Sequence, residues 1–274
     1  MHTVGAAGVE IPALGFGTWQ LKGAECEKMV TAALGAGFRH IDTAEMYDNE
    51  EAVGRGLKAA KLPRDEVFLT SKVWSSNLRD GQLQHAAEVS LKRLGLDYFD
   101  LYLIHWPSND TSTREAIGAL NEVRTRGLAR AVGVANFPVK LIEEAVEASE
   151  APLATNQVEY HPYLSQAPVL DACRRHGLSL TAYCPLARGK MVDDTVIGEI
   201  AEIHGRTPAQ VTLRWLIQQD GVIAIPKTGN PDRLEENLGA ADFTLTDEEM
   251  SRISALTQPD GRIVRMSGEP EWDT

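Results

Sequence analysis

His40-Ile-Asp-Thr-Ala-Glu-Met-Tyr47 is a short apolar run that ends in an acid, Asp42, followed five residues later by a phenol, Tyr47. Two further stretches repeat the pattern: Phe68-Leu-Thr-Ser-Lys72 brings an amine to the end of an apolar run, and Asp100-Leu-Tyr-Leu-Ile-His105 brings an imidazole. Runs of this length and composition read as strands. Consecutive parallel strands that end in polar groups can gather them on one rim of a barrel, where such folds place chemistry. Singly, each of the four is also what a barrel sets at a strand end for capping, so the argument rests on the four together.

Working outward, short apolar runs alternate with longer helical patterns: 13–16, 39–41, 67–70, 99–104, 129–134, 155–158, 179–183 and 221–225, eight strand candidates in all. Leu83, Ala87, Leu91 and Leu94 recur near the helical period in one of the intervening stretches. Strands separated by helices imply parallel pairing. The alternation alone allows a closed barrel or an open doubly wound sheet, and the polar rim selects the (β/α)8 TIM barrel. Residues up to about Pro12 read as a hairpin turning at Gly5 and Gly8. Thr207-Pro-Ala-Gln210 and Thr246-Asp-Glu-Glu249 carry helix-start signals, and Gly35, Gly37 and Gly177 suit left-handed helix ends. The tail from Asp260 reads as a loop. At 274 residues, 43% of them hydrophobic, a single domain spanning 1–274 accommodates the barrel and its core.

Twenty-seven Lys and Arg against 39 Asp and Glu leave a formal net charge of −12, a field that repels nucleic acid and anionic membranes. Met1-His2-Thr3 is not followed by the basic and apolar regions of a signal peptide, and no apolar stretch is long enough to span a bilayer. A cytoplasmic monomer is the expectation. Cys26, Cys173 and Cys184 are odd in number and widely spaced, which reads as buried thiols rather than a redox or zinc pair.

The four polar residues also make a chemical argument. A phenol with an ordinary pKa near about 10 is a poor proton donor at neutral pH unless its phenolate is stabilised. An ammonium, Lys72, can stabilise it; Asp42 would hold Lys72 in place, and His105 could orient a carbonyl oxygen. At this point Gly15-Phe-Gly-Thr-Trp19, His40 through Glu50, Thr70-Ser-Lys72, Leu103-Ile-His-Trp-Pro107, Gly133-Val-Ala-Asn-Phe137, Gln157-Val-Glu-Tyr-His161 and Ile225-Pro-Lys227 through Asn237 resemble, in order, the pattern of the aldo-keto reductases. The resemblance covers essentially the whole chain. Tyr47-Asp-Asn-Glu50 and the ending with Asp260-Gly-Arg262 and Glu271-Trp-Asp273 are most similar to the short bacterial members that reduce 2,5-diketo-D-gluconate and related small dicarbonyls.

The resemblance implies a nicotinamide cofactor over the strand ends, with Asp42, Tyr47, Lys72 and His105 catalytic and Tyr47 the proton donor. It further implies that Asn136 and Gln157 hold the carboxamide, that Tyr183 stacks on the ring, that Gly17, Thr18 and Leu186 line the cofactor's path, and that Glu236 and Asn237 meet the adenine. Lys227, Thr228, Arg233 and the helix start after Asn230-Pro231 have the chemistry to hold a phosphate dianion, which points to NADPH. Ala135 and Cys184 stand where many family members have serine. Trp19, Trp74 and Trp106 follow strands and could wall a pocket for small aldehydes, ketones or dicarbonyls, with Trp272 closing it from the tail. Two alternatives stay open: a metal-dependent hydrolase using His40, Asp42, His105 and His161, and a cofactor-sensing protein with slow turnover.

Overall fold

The structure, a computed structural model, describes residues 2–273. An antiparallel hairpin, β1 (Thr3–Ala6) and β2 (Val9–Pro12), precedes eight parallel strands: β3 (Phe16–Gly17), β4 (His40–Asp42), β5 (Phe68–Val73), β6 (Phe99–Ile104), β7 (Ala129–Ala135), β8 (Thr155–Glu159), β9 (Ser179–Tyr183) and β10 (Val222–Ala224). Neighbours in sequence are neighbours in the sheet, from β3 to β10. The seam is closed by the parallel bridge Leu14 to Ala224 and by Gly15 N–H donating to Ala224 O at 2.8 Å and Gly17 N–H to Pro226 O at 3.0 Å. A Cβ on Gly15 would lie 2.7 Å from His40 Nδ1, so the seam closes only with glycine there. This is the (β/α)8 barrel expected, and the first strand lies later than the 13–16 run because Ala13 and Leu14 serve the seam.

Helices alternate with the strands: α1 (Gly23–Ala36), α2 (Glu50–Ala60), α3 (Gln82–Leu94), α4 (Thr113–Thr125), α5 (Val139–Ala148), α6 (Ala167–Arg175), the pair α7 (Thr195–His204) and α8 (Pro208–Ile217), then α9 (Asp232–Leu238) and α10 (Asp247–Ser254). The expected signals act as written. Thr207 Oγ1 accepts from Gln210 N–H while Gln210 Oε1 accepts from Thr207 N–H, and Thr246 with Glu249 does the same. Gly37 ends α1 at φ 116°, whereas Gly35 lies inside that helix. Among the described residues no helix is long and apolar enough to cross a membrane.

Strand alternation is what positions the site. Side chains two apart share a face. Along β6, Tyr102 and Ile104 pack into the layer between sheet and helices, while Leu101 and Leu103 face the inner core with Ala131, Ala135, Ile223 and the hairpin's Ile11, which fills the barrel's N-terminal mouth. Continuing the inner parity by one step reaches His105. The same step reaches Asp42 from His40, Lys72 from Thr70, Gln157 from Thr155 and Tyr183 from Thr181. The inner polar layer beneath them is satisfied by His40 Nε2 with Thr70 Oγ1 at 3.0 Å and Thr155 Oγ1 with Thr181 Oγ1 at 2.9 Å.

Candidate active site

Lys72, next to last in β5 on its inner face and without solvent exposure, donates to Asp42 Oδ1 at 2.6 Å and to Thr43 O at 2.8 Å. Its third direction points to Tyr47 Oη at 3.5 Å. Tyr47 comes in on the short 3-10 turn Glu45–Tyr47 after β4. Lys22 Nζ holds that turn by donating to Tyr47 O at 2.6 Å. The Tyr47 ring meets His105 edge-on at 5.5 Å between centroids. Asp42, Tyr47, Lys72 and His105 therefore meet at the C-terminal mouth, as the sequence implied.

Electrostatics departs from expectation at one point. Burial first, and then the charges of Asp42 and Tyr183, push the Tyr47 phenol well above its ordinary range, opposite to the acidification by Lys72 expected from the sequence. Removing a phenolate from water costs more than an ammonium beyond normal hydrogen-bond length returns. Burial also lowers the Lys72 pKa, opposed by Asp42. His105 falls well below its usual 6.5, through burial and then Lys72, so its ring is neutral at pH 7. His105 Nδ1 is buried with no partner among the described residues.

The expected nicotinamide contacts lie side by side on the same rim. Gln157 Nε2 donates to Asp42 Oδ2 at 2.8 Å, Asn136 Nδ2 to His105 O at 2.9 Å, and Tyr183 Oη to Asn136 Oδ1 at 2.8 Å. Each amide nitrogen keeps a second hydrogen for a ligand. Asn136 holds φ 64°, in the left-handed region that asparagine tolerates. Ala135, the serine departure, is fully buried beside them. Thr18 Oγ1 donates to Asp42 O at 3.0 Å, so Gly17 and Thr18 border the same acid, and Leu186 follows β9 at the start of a 3-10 segment. Cys184 has φ 51°, and burial raises its thiol pKa, which makes it an unreactive thiol.

Beyond β10, Lys227 and Arg233 are exposed and form no ion pair among the described residues, while Thr228 is buried with its hydroxyl on Asn230. Glu236 Oε1 accepts from Thr207 Oγ1 at 2.7 Å, and Asn237 is buried. The helix start contributes less than expected, because Asp232 N–H already donates to Asn230 Oδ1 at 3.1 Å and acids occupy the first turn of α9. Two free cations remain for a phosphate.

Of the tryptophans, Trp19 meets Tyr47 at 4.9 Å and Trp74 meets His105 at 5.4 Å. Trp106 is mostly buried and presents itself to Trp272 at 6.1 Å. Three residues escaped assignment from sequence. Glu45 accepts from Trp74 N–H and Asn77 Nδ2, tying the loops after β4 and β5. Asn49 Nδ2 donates to Thr18 O and Leu21 O. Glu159, fully buried at the end of β8, accepts from Ile263 N–H at 2.6 Å, Val264 N–H at 2.9 Å and His161 Nε2 at 3.0 Å, which fixes the tail across the mouth. Glu159 lies within a quoted motif, but its partners are backbone amides that no residue type signals. Among the described residues no three of His, Cys, Asp and Glu come together as a metal-binding group: His40 is spent on Thr70 and His161 on Glu159.

A sequence model of the Aldo/keto reductase family matches residues 13–258. The chain is 42% identical to a methylglyoxal reductase of Escherichia coli O157:H7 over 267 residues, 96% of this chain and 99% of the relative. A solved structure provisionally named a 2,5-diketo-D-gluconic acid reductase B superposes with a TM-score of 0.98 at 49% identity, covering 100% of this chain and 98% of the other. A Bombyx mori aldo-keto reductase solved in complex with NADP superposes at 0.87 with 33% identity, over 94% of each chain. With the barrel, the rim and the ordered motifs already in place, these matches settle the family: the chain belongs to the aldo/keto reductases.

Proposed function

We propose that this protein is one reductase domain over residues 1–274 that uses NADPH to reduce small aldehydes, ketones and dicarbonyls to alcohols, acting as a cytoplasmic monomer. The observation that carries the reading is Lys72 Nζ, buried between Asp42 at 2.6 Å and Tyr47 Oη at 3.5 Å, with a neutral His105 ring against the same phenol. When bound, the nicotinamide supplies a hydride. The chain's own residues handle the proton. Tyr47 keeps its hydrogen at neutral pH because burial holds its pKa high, so it stands ready as a neutral donor and releases the proton only to a strongly basic oxygen.

Lys72, kept cationic by Asp42, then faces the phenolate that results. His105 offers a ring N–H to the carbonyl oxygen and fixes its direction. Asn136, Gln157 and Tyr183 have the donors and the flat ring to seat a carboxamide, with Gly17, Thr18 and Leu186 beside it. Lys227 and Arg233, with Thr228, are the cations and hydroxyl for the 2′-phosphate; Glu236 and Asn237 lie next on α9. Trp19, Trp74 and Trp106 give an apolar wall suited to small substrates. The methylglyoxal and diketogluconate names of the relatives support that substrate range.

The test is Tyr47→Phe with methylglyoxal in an NADPH-oxidation assay. Turnover should fall by about 10²- to 10⁴-fold, with NADPH affinity unchanged because only the proton donor is lost. Comparable turnover removes Tyr47 from the role of acid. Tight NADPH binding by the wild type with no turnover on a broad carbonyl panel returns the cofactor-sensing alternative.

A further inference from the structure

The tail carries an arginine, Arg262, that forms no ion pair among the described residues. Arg262 immediately precedes the two backbone amides that Glu159 fastens. Its Nη1 is buried without a hydrogen-bond partner among the described residues. The two carboxylates whose fields reach it are engaged elsewhere: Glu159 with those amides and His161, and Glu269 with Arg265 at 3.1 Å and Met266 N–H at 3.3 Å. Arg265 adds a like charge nearby, and burial works against the guanidinium.

Its place matters as much as its charge. The guanidinium carbon lies 3.6 Å from the centroid of the Trp272 ring, and Trp272 meets Trp106, the residue that follows His105. Tyr183 is close enough for its charge to act on Arg262, and its hydroxyl is bonded to Asn136, itself bonded to His105 O. Gly261 admits the approach, since a Cβ there would strike Tyr163 O. The tail thus hangs a planar fork of donors beside the proposed reaction site, with one face on an indole. A partly desolvated cation without a counter-charge is unfavourable, and a guanidinium fork matches a carboxylate with two parallel hydrogen bonds.

We infer that Arg262 is a specificity-determining residue that binds a carboxylate of the substrate, so that the site prefers keto and aldehyde acids to neutral carbonyls of the same size. The inference rests on the reductase reading above and narrows its substrate class. It is tested by kcat and KM for 4-oxobutanoate and 4-carboxybenzaldehyde, each against its methyl ester, with NADPH. The wild type should favour the acids. Arg262→Gln should raise KM for the acids by about ten- to a hundred-fold at nearly unchanged kcat, with the esters altered by less than about twofold, and Arg262→Lys should restore part of the loss.

Equal losses for acids and esters would reduce Arg262 to a packing partner of Trp272, and a wild type with no preference for the acids would also overturn the inference. If Arg262→Gln fails to fold, the wild type decides: succinate should inhibit methylglyoxal reduction competitively and dimethyl succinate should not, and equal inhibition by both, or none by succinate, refutes the role. A wild type that reduces none of these carbonyls, methylglyoxal included, instead defeats the reductase reading.

Discussion

Two buried carboxylates sit toward opposite ends of the barrel, and their partners differ. Asp100, near the start of β6, accepts from Arg64 Nη2 at 2.7 Å, Arg130 Nη1 at 3.2 Å and Leu69 N–H at 2.9 Å. Both guanidiniums also pack on Tyr98, each 4.3 Å from its ring centroid, and both reach solvent. Asp42, at the other end, has a single cation, Lys72, sealed from water and turned toward a phenol it does not fully reach. A cavity of about 380 Å³ also opens at the Asp100 end, lined by Arg39, Asp65, Glu66 and Arg130 beneath the hairpin, so cavity and buried charge together do not mark chemistry. The difference is satisfaction. The lower acid has its charge matched and its lone pairs filled, whereas the upper cluster holds an ammonium 3.5 Å from a phenol and, among the described residues, a buried imidazole nitrogen without a partner.

The sharpest way to break this contrast is to remove one cation from each end. Lys72→Met strands Asp42 as a buried, unpaired charge, so it should cost about 3–5 kcal/mol of stability and abolish measurable turnover. Arg64→Gln leaves Asp100 with Arg130 and Leu69 N–H, so it should cost about 1–3 kcal/mol and leave kcat unchanged. Denaturation curves and NADPH-coupled rates on both variants check this, and an Arg64→Gln enzyme as inactive as Lys72→Met would erase the distinction.

The next effect sharpens the contrast within the upper rim, between its buried and exposed cations. Lys227→Ala or Arg233→Ala should weaken NADPH by about tenfold through the loss of a charge-assisted contact and barely alter NADH, without affecting stability. Fluorescence titration with both cofactors measures it; equal weakening places 2′-phosphate recognition elsewhere.

The smallest expected effect is in pH. Burial keeps His105 and His40 neutral in the folded protein, while the unfolded chain takes up protons below the ordinary value of 6.5. The unfolded state then binds more protons, so the contribution to stability is present above that value and is lost as pH falls through it. Chemical denaturation at about pH 7.5 and about pH 5.5 should show a decline that is shallower in His105→Asn, and an identical slope in that variant would show that His105 titrates normally.

Much of this was legible in the sequence because the signals are local. Phe99–Ile104 and Ser179–Tyr183 were bounded to the residue, since an apolar run between turn formers allows little else. The capping boxes at Thr207 and Thr246 needed only three residues each. Asp42, Lys72 and His105 stood out as candidates because each ends or directly follows an apolar run, and the family resemblance grouped them with Tyr47. What escaped was relational. The protonation of Tyr47 depends on how completely its neighbours exclude water, and its own burial, followed by the charge of Asp42, sets the opposite direction to the one the residue types suggest.

The chain by itself determined the barrel, its hairpin and the four residues at the mouth, because strand period, turn chemistry and ordered motifs are written within a few residues of one another. Only the tertiary structure decided the course of the tail and the charge balance around the phenol. The tail is held by a carboxylate 104 residues away accepting from backbone amides, which look alike at every position of a sequence. The phenol's proton is held by desolvation, which arises only once the whole rim has closed around it.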